Sequence, residues 1–247
     1  MATGKIHIGT SGFSYANWRG VIYEEKAKGA DFLKQYSRTF DSCELNGCFY
    51  RLPTVKTVER WRDEVPDEFR FCPKMSRFLT HIKRLKEAEE PLERFFSVFE
   101  PLQTKLGPVL LQLPATLKFD AELASTFFLQ LRQYKQYKFA FEPRHESWFC
   151  GDSITLLKEN NIAFVISDNG GHFAFTEFVT AKDVYMRFHG PGKLFDSSYS
   201  EDALRHYAGL MLKWSKQGLT CWAFFNNTMN TAAIENALML KRFATSA

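Results

Sequence analysis

The chain has 247 residues, 45% of them hydrophobic and 24% charged, which suffices for one large core and for a single α/β barrel. Its formal charge of +4 and pI near 8.7 come from scattered Lys and Arg, so attraction to phosphate or nucleic acid would need a local cluster. Five cysteines without a CxxC pair argue against a disulfide framework and a structural zinc site; no apolar signal region or membrane-length run occurs, so the expected location is the cytoplasm, with no membrane partner.

Short apolar runs alternate with amphipathic stretches along the chain. "KIHIG" (5–9) reads as a strand, and "DFLKQYSRTF" (31–40) carries Phe32, Leu33, Tyr36 and Phe40 at helical spacing. "SCELN" (42–46) is a second strand, and Pro53-Thr54 starts a helix with Val55, Val58, Trp61 and Val65. "FRFCPK" (69–74) is the third strand, followed by a helix marked by Leu92, Phe95, Phe96 and Phe99. "PVLLQLP" (108–114) is the fourth, and Asp120 caps the next helix. "KFAFEPRHESWF" (138–149) begins as the fifth strand and ends in charge. Asp152 is read as the cap of the following helix. "AFVISD" (163–168), "DVYMRFHG" (183–190) and "TCWAFFNN" (220–227) complete the strands, with Ser200 capping a long helix between the last two. Residues 169–182 hold no helical pattern and read as an irregular sixth crossover. About eight strand–helix units predict a single-domain (β/α)8 TIM-type barrel over residues 1–247.

Nearly every apolar run ends in a polar group: Ser11, Glu44 with Asn46, Lys74, Gln112, Glu142 with Arg144, Asp168, Arg187 with His189, and Asn226 with Asn227. In such a barrel the C-terminal strand ends carry the site. Side chains alternate faces along a strand. Phe139 and Phe141 are therefore expected under the helices, sending Ala140 and Glu142 inward. The same parity sends Glu44, Asn46, Lys74, Arg187 and His189 to one mouth. It does not decide between Asn226 and Asn227, because the last strand is apolar on both faces.

The stretches "IGTSGFSYANWRG", "CELNGCFYRLP", "FCPKMSRFLTH", "GPVLLQLP", "FAFEPRHESWF", "MRFHGPG" and "WAFFNNT" resemble, in order, the motifs of the YecE-like family, domain-of-unknown-function family number 72. The resemblance covers essentially the whole chain. It implies a (β/α)8-type barrel and no settled reaction. Gly47-Cys48 replaces the hydroxyl residues usual in that family, Pro143 an aromatic or aliphatic residue, and Glu146 a common proline; the charged positions match.

Several chemistries fit these residues. Glu44 and Glu142 in one cavity could divide into an acid and a base, or could be neutralised by Lys74 and Arg187 as buried ion pairs. Lys74 suits a counter-ion role or carbonyl chemistry, and Arg144 and Arg187 are fork-shaped anion binders. Arg187 precedes "HGPGK", whose Lys193 adds charge where this architecture usually binds phosphate. Trp18, Tyr50 and Trp148 are rim aromatics able to stack on sugars or bases, or core rings only. Glu44, Glu142, Asp168 and His189 would together suit magnesium or manganese, although the sequence requires no cofactor and assigns no metal site.

The expectation is a cytosolic enzyme for a small polar, anionic or phosphorylated sugar-like ligand. Glu142, Glu44 and Lys74 are its catalytic candidates. Asn46, Gln112, Arg144, Asp168, Arg187, His189, Lys193, Asn226, Asn227, Trp18, Tyr50 and Trp148 are its ligand-binding candidates. The alternatives are a nucleic-acid-binding protein or phosphodiesterase, and a non-catalytic sensor or partner-binding barrel.

Overall fold

The period-two pattern of the strands separates two apolar environments. Phe71, Leu111, Phe141, Phe164 and Met186 pack outward against the helices. Cys72, Leu110, Ala140, Ala163, Val165, Tyr185, Trp222 and Phe224 form a second, inner cluster. The computed structural model describes residues 3–171 and 176–245.

The strands are β1 (Ile6–Ser11), β2 (Ser42–Leu45), β3 (Arg70–Pro73), β4 (Val109–Gln112), β5 (Phe139–Glu142), β6 (Ala163–Phe164), β7 (Ile166–Asp168), β8 (Asp183–Phe188) and β9 (Thr220–Phe225). They form two parallel sheets, ordered β3-β2-β1-β9-β8-β7 and β4-β5-β6. The sheets adjoin beyond β3, where the Met75 N–H donates to the Leu110 carbonyl at 2.8 Å. At the other side, β6 and β7 are successive pieces of one run. The N–H of the intervening Val165 still bonds the Phe141 carbonyl of β5 at 2.9 Å, whereas Ile166 pairs with Met186 of β8. The expected continuous sixth strand is thus divided at Val165, because its two halves serve neighbours on opposite sides.

The helices are α1 (Phe32–Tyr36), α2 (Val55–Glu64), α3 (Glu89–Phe99), α4 (Ala121–Leu131), α5 (Gly151–Glu159), α6 (Glu201–Lys216) and α7 (Ala232–Thr245). Thr54, Asp120 and Ser200 each accept a backbone N–H at a helix start. Asp152 lies inside the first turn of α5 rather than at its cap. In the 169–182 stretch, residues 172–175 lie outside the described residues, and the described remainder holds no helix. No helix among the described residues is long and apolar enough to cross a membrane.

The inner cluster has a closed floor. His7 stacks on Trp222 with centroids 4.2 Å apart and its Nδ1 lies 2.9 Å from Asp41. Trp222 donates to Asp183 at 2.8 Å, and Lys138 pairs with the same carboxylate at 2.9 Å. His7 is therefore a satisfied core histidine, as its place near the start of β1 implies. All the charge gathered at the other end, beyond the C-termini of the strands, sits above this apolar column.

Candidate functional site

Strand register brings the charged residues together. Ser11 of β1 lies beside Glu44 of β2, Gln112 of β4 beside Glu142 of β5, and Ser167 of β7 beside Arg187 of β8. At the centre is the Arg187 guanidinium, 1% exposed. It donates from Nε to Glu44 Oε2 at 2.9 Å, from Nη2 to Glu44 Oε1 at 2.8 Å, and from Nη1 to Glu142 Oε2 at 2.5 Å. Ser11 Oγ and the Tyr185 hydroxyl complete the Glu44 shell at 2.6 and 2.9 Å. Glu142 Oε1 lies 3.3 Å from Arg144 Nη2 and 3.3 Å from Ser167 Oγ.

Burial by itself would raise both carboxyl pKa values. Arg187 overcomes that effect at each: Glu44 is held below the usual carboxylate range, and Glu142, with Arg144 also nearby, well below it. Both are ionised at neutral pH. The two carboxylates in turn overcome the cost of burying Arg187 and hold its pKa above the ordinary value. Two carboxylates and two guanidiniums therefore make a compensated set. His189 is 2% exposed; burial and Arg187 lower its pKa. Its Nε2 is 3.8 Å from Glu142, beyond hydrogen-bond length, and its Nδ1 lies 3.0 Å from Asn226 Nδ2.

Above this set opens a cavity of about 610 Å³. Lys74, Arg77, His81, Arg144 and Arg187 supply basic groups to its wall, Phe49, Tyr50 and Phe195 supply rings, and among the described residues no carboxylate lines it. Lys74 Nζ donates to Gln112 Oε1 at 2.8 Å and stands 4.1 Å from the centre of the Phe49 ring. It has no acidic partner within ion-pair distance among the described residues. Burial, and next Arg187, press its pKa down to about 7, against the pull of Glu142 and Glu44. His81 falls to about 4 through burial and then Lys74, so its ring is neutral. The cavity thus presents a lysine poised to change charge near neutrality, beside fixed guanidinium charge.

Of the candidate residues, Asn46, Lys74, Gln112, Arg144, Arg187, Asn226 and Tyr50 line this cavity. Glu44, Glu142 and His189 lie beneath them. Other expected ligand contacts are corrected. Trp18 is fully buried, and its indole donates to the Asn230 carbonyl at 3.3 Å. Trp148 is 1% exposed and bonds the Leu117 carbonyl at 2.9 Å. Both are core rings. Asn227 is buried and ties Ser197 to Asn236 at 2.9 and 3.0 Å, so Asn226 is the residue of that pair at the cavity. Lys193 pairs with Asp196 at 2.6 Å away from the cavity wall. Asp168 accepts from the Tyr207 hydroxyl of α6 at 2.5 Å, facing the helices. The magnesium or manganese set is not assembled: Asp168 faces outward and Arg187 occupies the space between Glu44 and Glu142. Among the described residues no cluster of three or more His, Cys, Asp and Glu side chains is arranged to hold a metal.

Arg77, His81 and Ser167 are site residues outside the expected set. Parity could have supplied Ser167, which shares its face with Ala163 and Val165. Arg77 and His81 sit in and just before a single turn of π-helix, Phe78–Ile82, whose placement no strand periodicity reports.

These features define a class: a parallel α/β protein with a buried ionic network at its strand ends and a basic cavity above it. The chain belongs to the family described as protein of unknown function DUF72, whose model matches residues 7–247. It is 30% identical over 145 residues to the UPF0759 protein YecE of Escherichia coli K12, covering 59% of this chain and 50% of that protein. The chain thus spans about half the length of that curated relative. It is 26% identical to the UPF0759 protein YunF of Bacillus subtilis over 76% of this chain and 71% of that one. A DUF72 family protein of Thermotoga maritima superposes with a TM-score of 0.86 at 30% identity, covering 96% of this chain and 98% of that one. One from Enterococcus faecalis gives 0.84 at 23% identity, over 98% and 96%, a likeness of fold.

Proposed function

We propose that this protein is an enzyme for a small anionic, sugar-like ligand bound over the strand ends of one barrel-type domain formed by both sheets. The observation that carries this reading is the cavity wall: Lys74, Arg77 and Arg144 converge on a space of about 610 Å³ that no carboxylate lines among the described residues. Guanidiniums suit phosphate or carboxylate through paired donors. The rings of Phe49, Tyr50 and Phe195 offer apolar faces for a sugar's C–H surface.

The roles differ from a pair of catalytic carboxylates. Glu44 and Glu142 are ionised and engaged, so neither suits a general acid at neutral pH. They fix Arg187, whose charge closes the cavity floor. Lys74 is the proton carrier of this reading: near pH 7 it exists in both forms, which general acid–base work needs. Gln112 orients its amine, while Asn226, backed by His189 beneath it, contributes to the wall.

The test is binding of glucose 6-phosphate by calorimetry, together with turnover of a panel of sugar phosphates and sugar acids. Binding that Arg77→Ala weakens, with turnover lost in Lys74→Met, supports the reading. A parent protein that binds no member of the panel contradicts it.

A further inference from the structure

A second cavity of about 430 Å³ adjoins the first. The two share one wall residue, Asn46, which lines both. Their chemistry differs sharply. Phe13, Tyr15, Leu45, Cys48, Pro53 and Trp61 line the second space, and among the described residues Arg51 is its one charged lining residue. The rings here are held by packing against the core: Trp61 lies stacked 6.3 Å from Phe71 and meets Phe13 edge-on at 6.3 Å. The wall of this space is therefore fixed before any ligand arrives. Asn46 carries a buried side-chain oxygen with no hydrogen-bond partner among the described residues, although such groups are normally satisfied. The residue lies at the junction of an apolar space and a basic one.

We propose that the two cavities are subsites of one ligand: an anionic head over Lys74 and Arg77, joined past Asn46 to a flat apolar ring that enters the space beside Trp61. This rests on the anionic-ligand reading above and narrows its substrate class to aryl-substituted anions, phosphorylated or carboxylated. Gly47 and Cys48 both line the second space, and a β-carbon at Gly47 would meet nothing within 4 Å. Hydroxyl side chains at these positions would make that wall more polar; this chain has an open, apolar one.

The experiment compares inorganic phosphate, phenyl phosphate and 1-naphthyl phosphate by calorimetry on the full chain. An added ring that leaves water is expected to tighten binding roughly tenfold or more over phosphate. Trp61→Ala should remove most of that gain while phosphate affinity stays unchanged. Because Trp61 also packs the fold, Gly47→Leu is the second variant. It places a side chain in open space at the same wall and should likewise lower aryl affinity alone. Phosphate binding without any gain from either ring overturns the bipartite ligand and leaves the anionic reading standing. A gain that survives in both variants overturns the placement of the ring. Failure of all three probes to bind overturns both.

Discussion

Arg187 and Glu44 meet through two parallel hydrogen bonds, of 2.9 and 2.8 Å, with neither side chain more than 1% exposed. The third arm of the same guanidinium reaches Glu142. One cation thereby joins β2, β5 and β8 at the end of the strands where the cavity opens. Removing it leaves two buried carboxylates short of donors. Arg187→Met is expected to lose about 3–5 kcal/mol of stability, measured by urea unfolding. Adding Glu44→Gln and Glu142→Gln to it should restore part of that loss, because the stranded charges are gone.

Acid stability follows from the same pair of carboxyls. Both have folded pKa values depressed below the ordinary 4.5. The stability they contribute is complete above 4.5 and is lost as pH falls through their folded values. The parent should therefore lose stability steadily below pH 4.5, and Glu44→Gln should flatten that slope while being less stable at pH 7. A variant whose stability has the same pH slope as the parent would remove Glu44 from the network.

Lys74 has the opposite signature. Its pKa falls from 10.5 unfolded to about 7 folded. Between these values the unfolded chain binds more protons, so stability rises with pH across that window and is flat below it. Lys74→Met should be more stable than the parent by about 1–2 kcal/mol at pH 6. Its advantage should shrink as pH climbs from 7 toward 10.5. Thermal melts across that range check the sign.

The buried rings should act on the fold alone. Trp148→Phe loses the indole bond to Leu117 and part of its contact with Phe141 and Phe119. A cost of about 1–3 kcal/mol is expected, with affinity for glucose 6-phosphate unchanged. Arg77→Ala should do the reverse, since Arg77 is exposed at the cavity wall and makes no ion pair among the described residues.

A nucleic-acid partner would leave a different trace. Affinity for a single-stranded oligonucleotide should then fall steeply with salt, in proportion to the phosphates neutralised. With Lys74, Arg77 and Arg144 converging on one small space, and Arg187 there paired to Glu44 and Glu142, weak oligonucleotide binding is expected. Filter binding at 50 and 200 mM salt, on the order of physiological strength, distinguishes the two.

Much of the site was legible because strand parity is local. Ala140 and Glu142 inward, Phe139 and Phe141 outward, follow from two alternating residues and are as observed. The same rule, applied to 163–168, would have turned Asp168 outward and Ser167 inward. The break at Val165 was not readable, since it reflects which neighbouring strand each half bonds. Asn226 and Asn227 could not be separated, because Phe224 and Phe225 are apolar on both faces. Trp18 and Trp148 looked like rim aromatics since they follow polar strand ends. Their burial depends on loops folding back over them, which no periodicity encodes. The contrast between Lys74 and Glu142 was hidden for a deeper reason. Sequence places Lys74 and Glu142 at equivalent strand ends, and only the position of Arg187 decides which one is paired.

The most direct measurement is calorimetry of glucose 6-phosphate binding at pH 8 in buffers of different ionisation enthalpy. Free Lys74, with a pKa of about 7, is mostly neutral there, and a bound anion should return it to the charged form. Binding is expected to take up a sizeable fraction of one proton in the parent, and Lys74→Met should bind more weakly with no uptake. A parent that does not bind, or an uptake that survives in Lys74→Met, would contradict a basic cavity organised around this lysine.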